Sequence, residues 1–324
     1  MPKKFIFLAK TFSVSVFTLV LTACTALGPD YKEPDVAWLA DWESELYSQI
    51  EEAAGQSQVD AQIWWHLFDD PVLNQLVEIA RSENPSLRIA GLRVLESRAA
   101  LGIANSGRYP QFQQATGAIA YVNTQSSGGS DQSLGSYEVG FNAGWELDFW
   151  GRYSRSIESA DAAFFSSVFN QQNGQVLLTA QVADLYYAYR TILLRIDIAR
   201  KNAKIQKRSY EITEALFKSG ASAELDLQQA KTQYMATLSS IPGLEISLTL
   251  IHNNLCVLLG RPPGNLPELD DEIRSLPMVN PVVIEEVPAQ LLMRRPDIRA
   301  AASQIAAQSA QVGVAETELY PSIS

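Results

Sequence analysis

From residue 71 onward the chain is written in two hydrophobic periods. Leu73, Leu76, Val77 and Ala80 recur at helical spacing. The pattern breaks at Asn84-Pro85, because a residue before proline is driven out of the helical region. It resumes with Leu87, Gly91, Val94, Leu101 and Ala104 to about Arg108, which predicts two helices meeting at the proline. Between Gln111 and Asp148 the period shortens to two. Val139, Phe141, Ala143, Trp145 and Leu147 alternate there with Glu138, Gly140, Asn142, Gly144, Glu146 and Asp148. Such alternation predicts a strand with one apolar face and one polar or glycine face, long enough for a tilted membrane strand. The first half is weaker, with Ala118, Ala120 and Val122 set against Gly117, Ile119 and Tyr121. A polar loop from Thr124 to Ser133 joins the halves into a β-hairpin, expected over about 111–148.

Helical spacing returns with Ile157, Ala160 and Phe164. From Phe164 a seam steps by fours and threes through Val168, Gln171, Gln175, Leu178, Val182, Leu185, Tyr189, Ile192, Ile196, Ala199, Ala203, Gln206, Tyr210, Thr213 and Phe217. A stripe of roughly 50 residues reads as a coiled-coil seam reaching about 80 Å, longer than a compact globular domain needs. Lys218 to Ser222 breaks it: Gly220 suits a left-handed helix end, and Ser222 is expected to cap the next helix, with Glu224 in its first turn. A return helix follows to about residue 260, with Leu227, Ala230, Tyr234, Leu238, Ile241, Leu244, Leu248, Ile251, Leu255 and Leu258 on its buried stripe and a kink expected at Pro242. The long helices are expected over about 152–218 and 223–260.

The N-terminus reads as an address. Lys3 and Lys4 precede an apolar stretch from Phe5 to Leu21, too short and too interrupted by Lys10 and hydroxyl residues for a convincing membrane span. Leu21-Thr22-Ala23-Cys24 resembles the bacterial lipobox, so residues 1–23 are expected to be a signal peptide and Cys24 an acylated mature N-terminus. Two or three acyl chains anchor stably where one does not. Residues 24–70 form an arm ending in Trp64-Trp65-His66-Leu67-Phe68, aromatics expected to staple it onto helices.

Composition narrows the chemistry. A net charge of −11, moving to −14 once Lys3, Lys4 and Lys10 are removed, argues against nucleic acid as a partner. Cys24, Cys256, His66 and His252 are too scattered for a disulfide framework or a zinc site. No GxSxG, HExxH, P-loop or GxGxxG motif is present. Glu146 and Asp148 are the one carboxylate pair an enzyme reading would use, and the polar face of a hairpin is the simpler setting for them. Neither a cofactor, beyond lipid on Cys24, nor a metal is expected.

The chain also repeats itself. At a constant offset of 211, residues 84–113 and 295–324 share eight identities in thirty ungapped positions, among them Pro85 with Pro296, Gly102 with Gly313 and Tyr109-Pro110 with Tyr320-Pro321. The first Tyr-Pro leads into the hairpin. The second is followed by three residues, so the sequence is expected to be a fragment without a second hairpin and second long helical pair; residues 271–324 are then a linker and the start of a second repeat, and 71–270 the first.

A duplicated hairpin on helices of this length, tethered by lipid, resembles the TolC-like outer-membrane efflux factors, and among them the lipoproteins of the NodT and OprM type. The resemblance rests on Leu21 to Cys24, Gly28-Pro29-Asp30-Tyr31, Trp64-Trp65, Phe68 to Pro71, Trp145 to Arg152, Ser222 to Asp226, Ile241-Pro242, Leu258 to Gly264 and Leu292 to Ile298. It implies a mainly α fold with a membrane β-hairpin: three copies building one 12-stranded barrel that continues into a periplasmic helical tunnel. Val139, Phe141 and Trp145 would meet lipid, and Glu138, Asn142, Glu146 and Asp148 would face the pore. The tip residues Gly220, Ala221, Ser222 and Leu225 would contact a periplasmic adaptor. The implied function is passive export of small molecules or drugs across the Gram-negative outer membrane, with an inner-membrane pump of the resistance-nodulation-division class supplying the energy. A type I secretion exit duct and a non-transporting coiled-coil lipoprotein remain the alternatives.

Overall fold

The computed structural model describes residues 26–33, 61–124, 132–269, 276 and 292–324. The signal segment, Cys24 and most of the hairpin tip lie outside them. The elements are a short 3-10 segment (Ala61–Phe68), α1 (Pro71–Glu83), α2 (Pro85–Ser106), β1 (Phe112–Thr124), β2 (Gln132–Gly144), α3 (Arg152–Lys218), α4 (Glu224–Leu258) and α5 (Pro296–Thr317). The chain divides into two compact units. One comprises residues 1–37, 92–170 and 292–324, the other 38–91 and 171–291.

The second unit holds the larger core. Leu73, Leu76, Val77 and Ala80, the predicted stripe of α1, are buried against Leu178, Val182 and Tyr186 of α3 and Leu255, Cys256 and Leu259 at the end of α4. Asp70 starts α1: its Oδ1 accepts from the Val72 and Leu73 amides at 2.9 and 3.2 Å, two donors the helix cannot satisfy itself. Its other oxygen accepts from the Tyr186 hydroxyl at 2.8 Å. Asn84 ties three helices together at the α1–α2 break. Its Oδ1 accepts from the Leu87 amide, while its Nδ2 donates to the Leu258 carbonyl, each at 2.9 Å.

Along α3 the seam positions Leu178, Val182, Tyr189, Ile192, Ile196 and Ala203 are buried. Nearer the tip, Tyr210 stacks on Tyr234 of α4 at 6.5 Å, so the two helices run side by side and antiparallel. α4 is continuous through Pro242.

In the first unit α5 lies on the opening part of α3 through small side chains. Ala300, Ala307, Ala310, Gly313 and Thr317 are its buried residues. Ser166 Oγ donates to the Ala300 carbonyl at 3.1 Å and Gln311 Nε2 to Ser159 Oγ at 2.8 Å. Helix α2 meets α3 through the Ser97 and Ser167 hydroxyls, 2.6 Å apart. The repeat has a structural counterpart: α2 and α5 are both 22 residues long and both open on the matched prolines.

β1 and β2 pair antiparallel from Phe112↔Gly144 to Thr124↔Gln132. β2 therefore ends four residues before the predicted boundary at Asp148.

Replacing Asp70 with alanine removes the α1 cap and orphans a buried hydroxyl, so urea denaturation is expected to show a loss of about 2–4 kcal/mol. Asp70→Asn keeps the oxygen that caps α1 and sets an amide donor, which the Tyr186 hydroxyl can accept, in place of the other oxygen, and is expected to lose less than half of that. Alkaline pH probes the same cluster. Burial, and secondarily Asp70, raise the Tyr186 hydroxyl well above the usual tyrosine range, and burial pushes Tyr187 up to about 12. The unfolded chain releases these protons near pH 10 while the folded chain keeps them. Stability is thus complete below about pH 10 and expected to fall as pH rises towards 12, with Tyr187→Phe flattening the slope.

Candidate functional site: a hairpin, its base and a helical tip

The register settles which residues share a face. Val139, Phe141 and Tyr137 of β2 lie opposite Gly117, Ala115 and Ile119 of β1, and the pleat places Tyr121 on that face too. Ile119, Tyr137 and Val139 are each at least 87% exposed, a row of bare apolar side chains that water disfavours and lipid accepts. The other face carries Glu138 and Asn142 with Gly140, opposite Ala118, Gln114 and Thr116. The weak alternation in β1 is thereby resolved in favour of Ile119 and Tyr121 as its apolar set.

Both outer edges of this two-stranded sheet lack a neighbouring strand among the described residues.

Trp145, Glu146 and Asp148, expected on the strand, lie beyond its end and build the junction to α3. Asp148 accepts from the Tyr153 amide at 3.0 Å, the Ser154 amide at 2.8 Å and the Ser154 hydroxyl at 2.6 Å, so it caps the long helix. Glu146 accepts from the Tyr153 hydroxyl at 2.9 Å and pairs with Arg152 at 3.5 Å. Burial, and then the Glu146 carboxylate, raise the Tyr153 hydroxyl above its ordinary value. The Gln111 side chain brackets the Glu146 backbone, accepting its amide at 2.8 Å and donating to its carbonyl at 3.2 Å. Each carboxylate is held by its own local donors, an arrangement of caps rather than of a paired acid and base.

Arg155 is the residue that sequence reasoning missed. It is 5% exposed and gathers the strap from Leu27 to Asp30. Its guanidinium donates to the Leu27 carbonyl (2.8 Å), the Gly28 carbonyl (3.1 Å), Asp30 (2.8 Å) and Glu158 (2.8 Å). Those carboxylates, Glu158 foremost, raise its pKa further. Gly28 has φ +89° and rests on the backbone of Gly313, where a Cβ would collide; only glycine meets both demands. The signal was present in Gly28-Pro29-Asp30, a motif with no partner assigned. Leu27, three residues after Cys24, donates its amide to the Trp150 carbonyl at 3.0 Å.

At the far end of α3, Ala221 donates to the Leu216 carbonyl and Gly220 to the Phe217 carbonyl, both at 2.9 Å. With Gly220 at φ +77°, this is a Schellman ending. The cap of α4 is Ala223 rather than the expected Ser222. Asp226 reaches back instead, accepting from the Ala223 amide at 3.2 Å and the Ser222 hydroxyl at 3.0 Å. One carboxylate at the third helical position serves both groups, which moves the helix start one residue on. Gly220, Ala221 and Leu225 are exposed and Ser222 is half-buried; Leu225 is the large apolar side chain among them.

Among the described residues no group of three or more His, Cys, Asp or Glu side chains could hold a metal ion.

Residues 76–261 match the family described as outer membrane efflux protein. Nodulation protein T of Rhizobium leguminosarum bv. viciae is 31% identical over 318 residues, 96% of this chain and 62% of the relative. The pyoverdine export outer membrane protein OpmQ of Pseudomonas putida is 30% identical over 314 residues, 95% of this chain and 65% of that protein. The solved outer-membrane channel OprN superposes with a TM-score of 0.79 at 36% identity, over 91% of this chain and 65% of the channel. The chain thus spans just under two thirds of the length of these proteins.

The register generates a test of the faces. Val139→Arg places a charge on the apolar face, at an expected cost of about 2–4 kcal/mol near the bilayer midplane, and should abolish outer-membrane assembly as read by membrane fractionation. Asn142→Arg, on the opposite face, is expected to assemble normally.

Proposed function

The chain belongs to the outer membrane efflux protein family, and from that premise we propose that it acts as the outer-membrane exit duct of a tripartite pump. Small molecules pass through it passively. A periplasmic adaptor and an inner-membrane pump of the resistance-nodulation-division class form the rest of the path, and the pump supplies energy and most selection. The observation that carries this reading is the hairpin itself: one face of exposed apolar side chains and one that carries Glu138, Asn142, Gln114 and Thr116 between Phe112 at its base and Val122 and Leu134 near its tip, at the head of a 67-residue helix.

Two strands cannot satisfy their edges in lipid, so the duct is an oligomer, and the family's trimeric 12-stranded barrel meets the requirement. Val139 and Phe141 meet lipid, with Trp145 at the base of the strand; Glu138 and Asn142 line the pore, with Glu146 and Asp148 at its inner rim. The helices offer further surfaces to neighbours: Ile198, Ile205 and Ile212, seven residues apart on α3, are exposed, as are Ile246, Leu250 and Val257 on α4. An acyl group on Cys24 anchors the chain three residues before Leu27, whose amide binds the Trp150 carbonyl near the hairpin base. Gly220, Ala221, Ser222 and Leu225 form the adaptor-contact tip. Its work is contact, so no catalytic residue is assigned.

The deciding experiment is conductance of the full-length oligomer in a planar bilayer, with mass spectrometry of Cys24 on the same sample. Acylated oligomers giving water-filled pores are expected, and Glu138→Lys should shift their ion selectivity towards anions. A soluble, unacylated, non-conducting protein would sink the proposal. Leu225→Asp should leave conductance unchanged while weakening adaptor binding at least tenfold in a surface-capture assay.

A further inference from the structure

Charge is distributed unevenly along α3. Between Arg190 and Arg208 the helix carries Arg190, Arg195, Arg200, Lys201, Lys204, Lys207 and Arg208 against one acid, Asp197, in a chain whose net charge is −11. Beyond Arg208 the sign reverses, with Glu211, Glu214, Glu224 and Asp226 against Lys218. The returning helix does little to neutralise the basic stretch. From Gln228 to His252 it contains one acid, Glu245, which binds Arg200 at 2.8 Å.

The basic residues are segregated around the helix as well as along it. Ile196 and Ala203 are buried on the seam with Ala199 and Gln206 half-buried, and the exposed Ile198, Ile205 and Ile212 form an apolar flank on one side of it. Arg200, Lys204 and Lys207 follow three and four residues apart on the other side, with Lys201 and Arg208 behind them. Arg200, Lys201 and Arg208 have side chains 63%, 71% and 74% exposed. Lys201 pairs with Asp197 at 2.7 Å and Arg208 with Glu211 at 3.7 Å, exposed pairs weak enough for either cation to exchange its partner. Lys204 and Lys207 are exposed and make no ion pair among the described residues.

We infer that this basic flank is a docking face for the carboxylate-bearing peptidoglycan of the cell wall. The inference rests on the exit-duct reading, because helices that leave the outer membrane to meet a pump must cross the wall layer. Apolar flanks suit neighbouring helices of the duct; a flank of solvated lysines does not. Ammonium groups on flexible stems suit an irregular anionic polymer, since each acts as a point charge and none demands the fixed geometry of a guanidinium fork. The five charges from Arg200 to Arg208 spread over about 12 Å of helix, enough to meet more than one carboxylate of a strand of wall. The acidic tip beyond them repels the same polymer and stays free for the adaptor.

Cosedimentation of the purified full-length oligomer with isolated sacculi tests the inference. Binding is expected at low salt and should weaken steadily through the range in which exposed charges are screened. Lys201→Gln, Lys204→Gln and Lys207→Gln combined should lower it about tenfold, while arginine at the same three positions retains it. The glutamine variant should keep wild-type conductance, which separates this face from the duct itself. Equal binding by wild type and glutamine variant, no binding by wild type, or undiminished binding to sacculi whose carboxylates have been amidated would each overturn the proposal. So would loss of adaptor binding in the glutamine variant with sacculus binding intact, which would assign the face to a protein. A wild type that conducts poorly yet sediments in a carboxylate-dependent way would count against the duct reading and leave the docking face standing.

Discussion

Lipid offers no partner to a backbone amide or carbonyl, so the outer edges of β1 and β2 can persist in a membrane only with another strand against each. That requirement organises much of what surrounds the hairpin. One face leaves Ile119, Tyr137, Val139 and Phe141 bare, a row of apolar side chains that water disfavours. In the proposed duct those further strands come from other hairpins. The same logic extends down the helices, where α3 and α4 use one stripe on each other and still present a second.

Polar demands are met differently at the two ends of α3. At the hairpin end side chains hold the chain: Gln111 binds the Glu146 amide, Asp148 the Tyr153 amide and Arg155 the Leu27 carbonyl, while Glu146 takes the Tyr153 hydroxyl. At the tip the chain closes on itself with backbone bonds and a single carboxylate, Asp226, leaving Leu225 uncovered. One end is built to hold still against its own neighbours, the other to present a surface.

The parts of this fold written as periodicity were legible in the sequence. The seam from Phe164 to Phe217 could be read because a helix repeats its buried positions over many turns, and one polar intrusion such as Gln175 does not erase the period. The polar and apolar faces of β2 were legible for the same reason. The end of β2 was not, because Trp145 to Asp148 continue the alternation while their backbone leaves the sheet; the deciding fact, that Asp148 caps α3, depends on a partner three-dimensionally but not periodically related to it. Ser222 misled similarly, since a serine before a helix is an ordinary cap until an acid placed three residues into that helix reaches past it. Arg155 was invisible for a simpler reason: its partners Leu27, Gly28 and Asp30 lie more than 120 residues away, and a lone arginine inside a helix carries no pattern.

The junction between β2 and α3 has a mechanical meaning. Seven residues separate Gly144 from Arg152, and most are pinned: Glu146 by Gln111, Leu147 by the Ile323 carbonyl, Asp148 by the helix it caps, and Trp150 by the Leu27 amide and the Pro321 carbonyl. A joint so short and so fully bonded behaves as a rigid flange, with no slack in which a turning helix could unwind. Torque applied to α3 at the hairpin end is therefore transmitted to the strand rather than absorbed. A strand locked into a closed sheet resists it, and whatever twisting the long helices undergo must find its compliance at the opposite end.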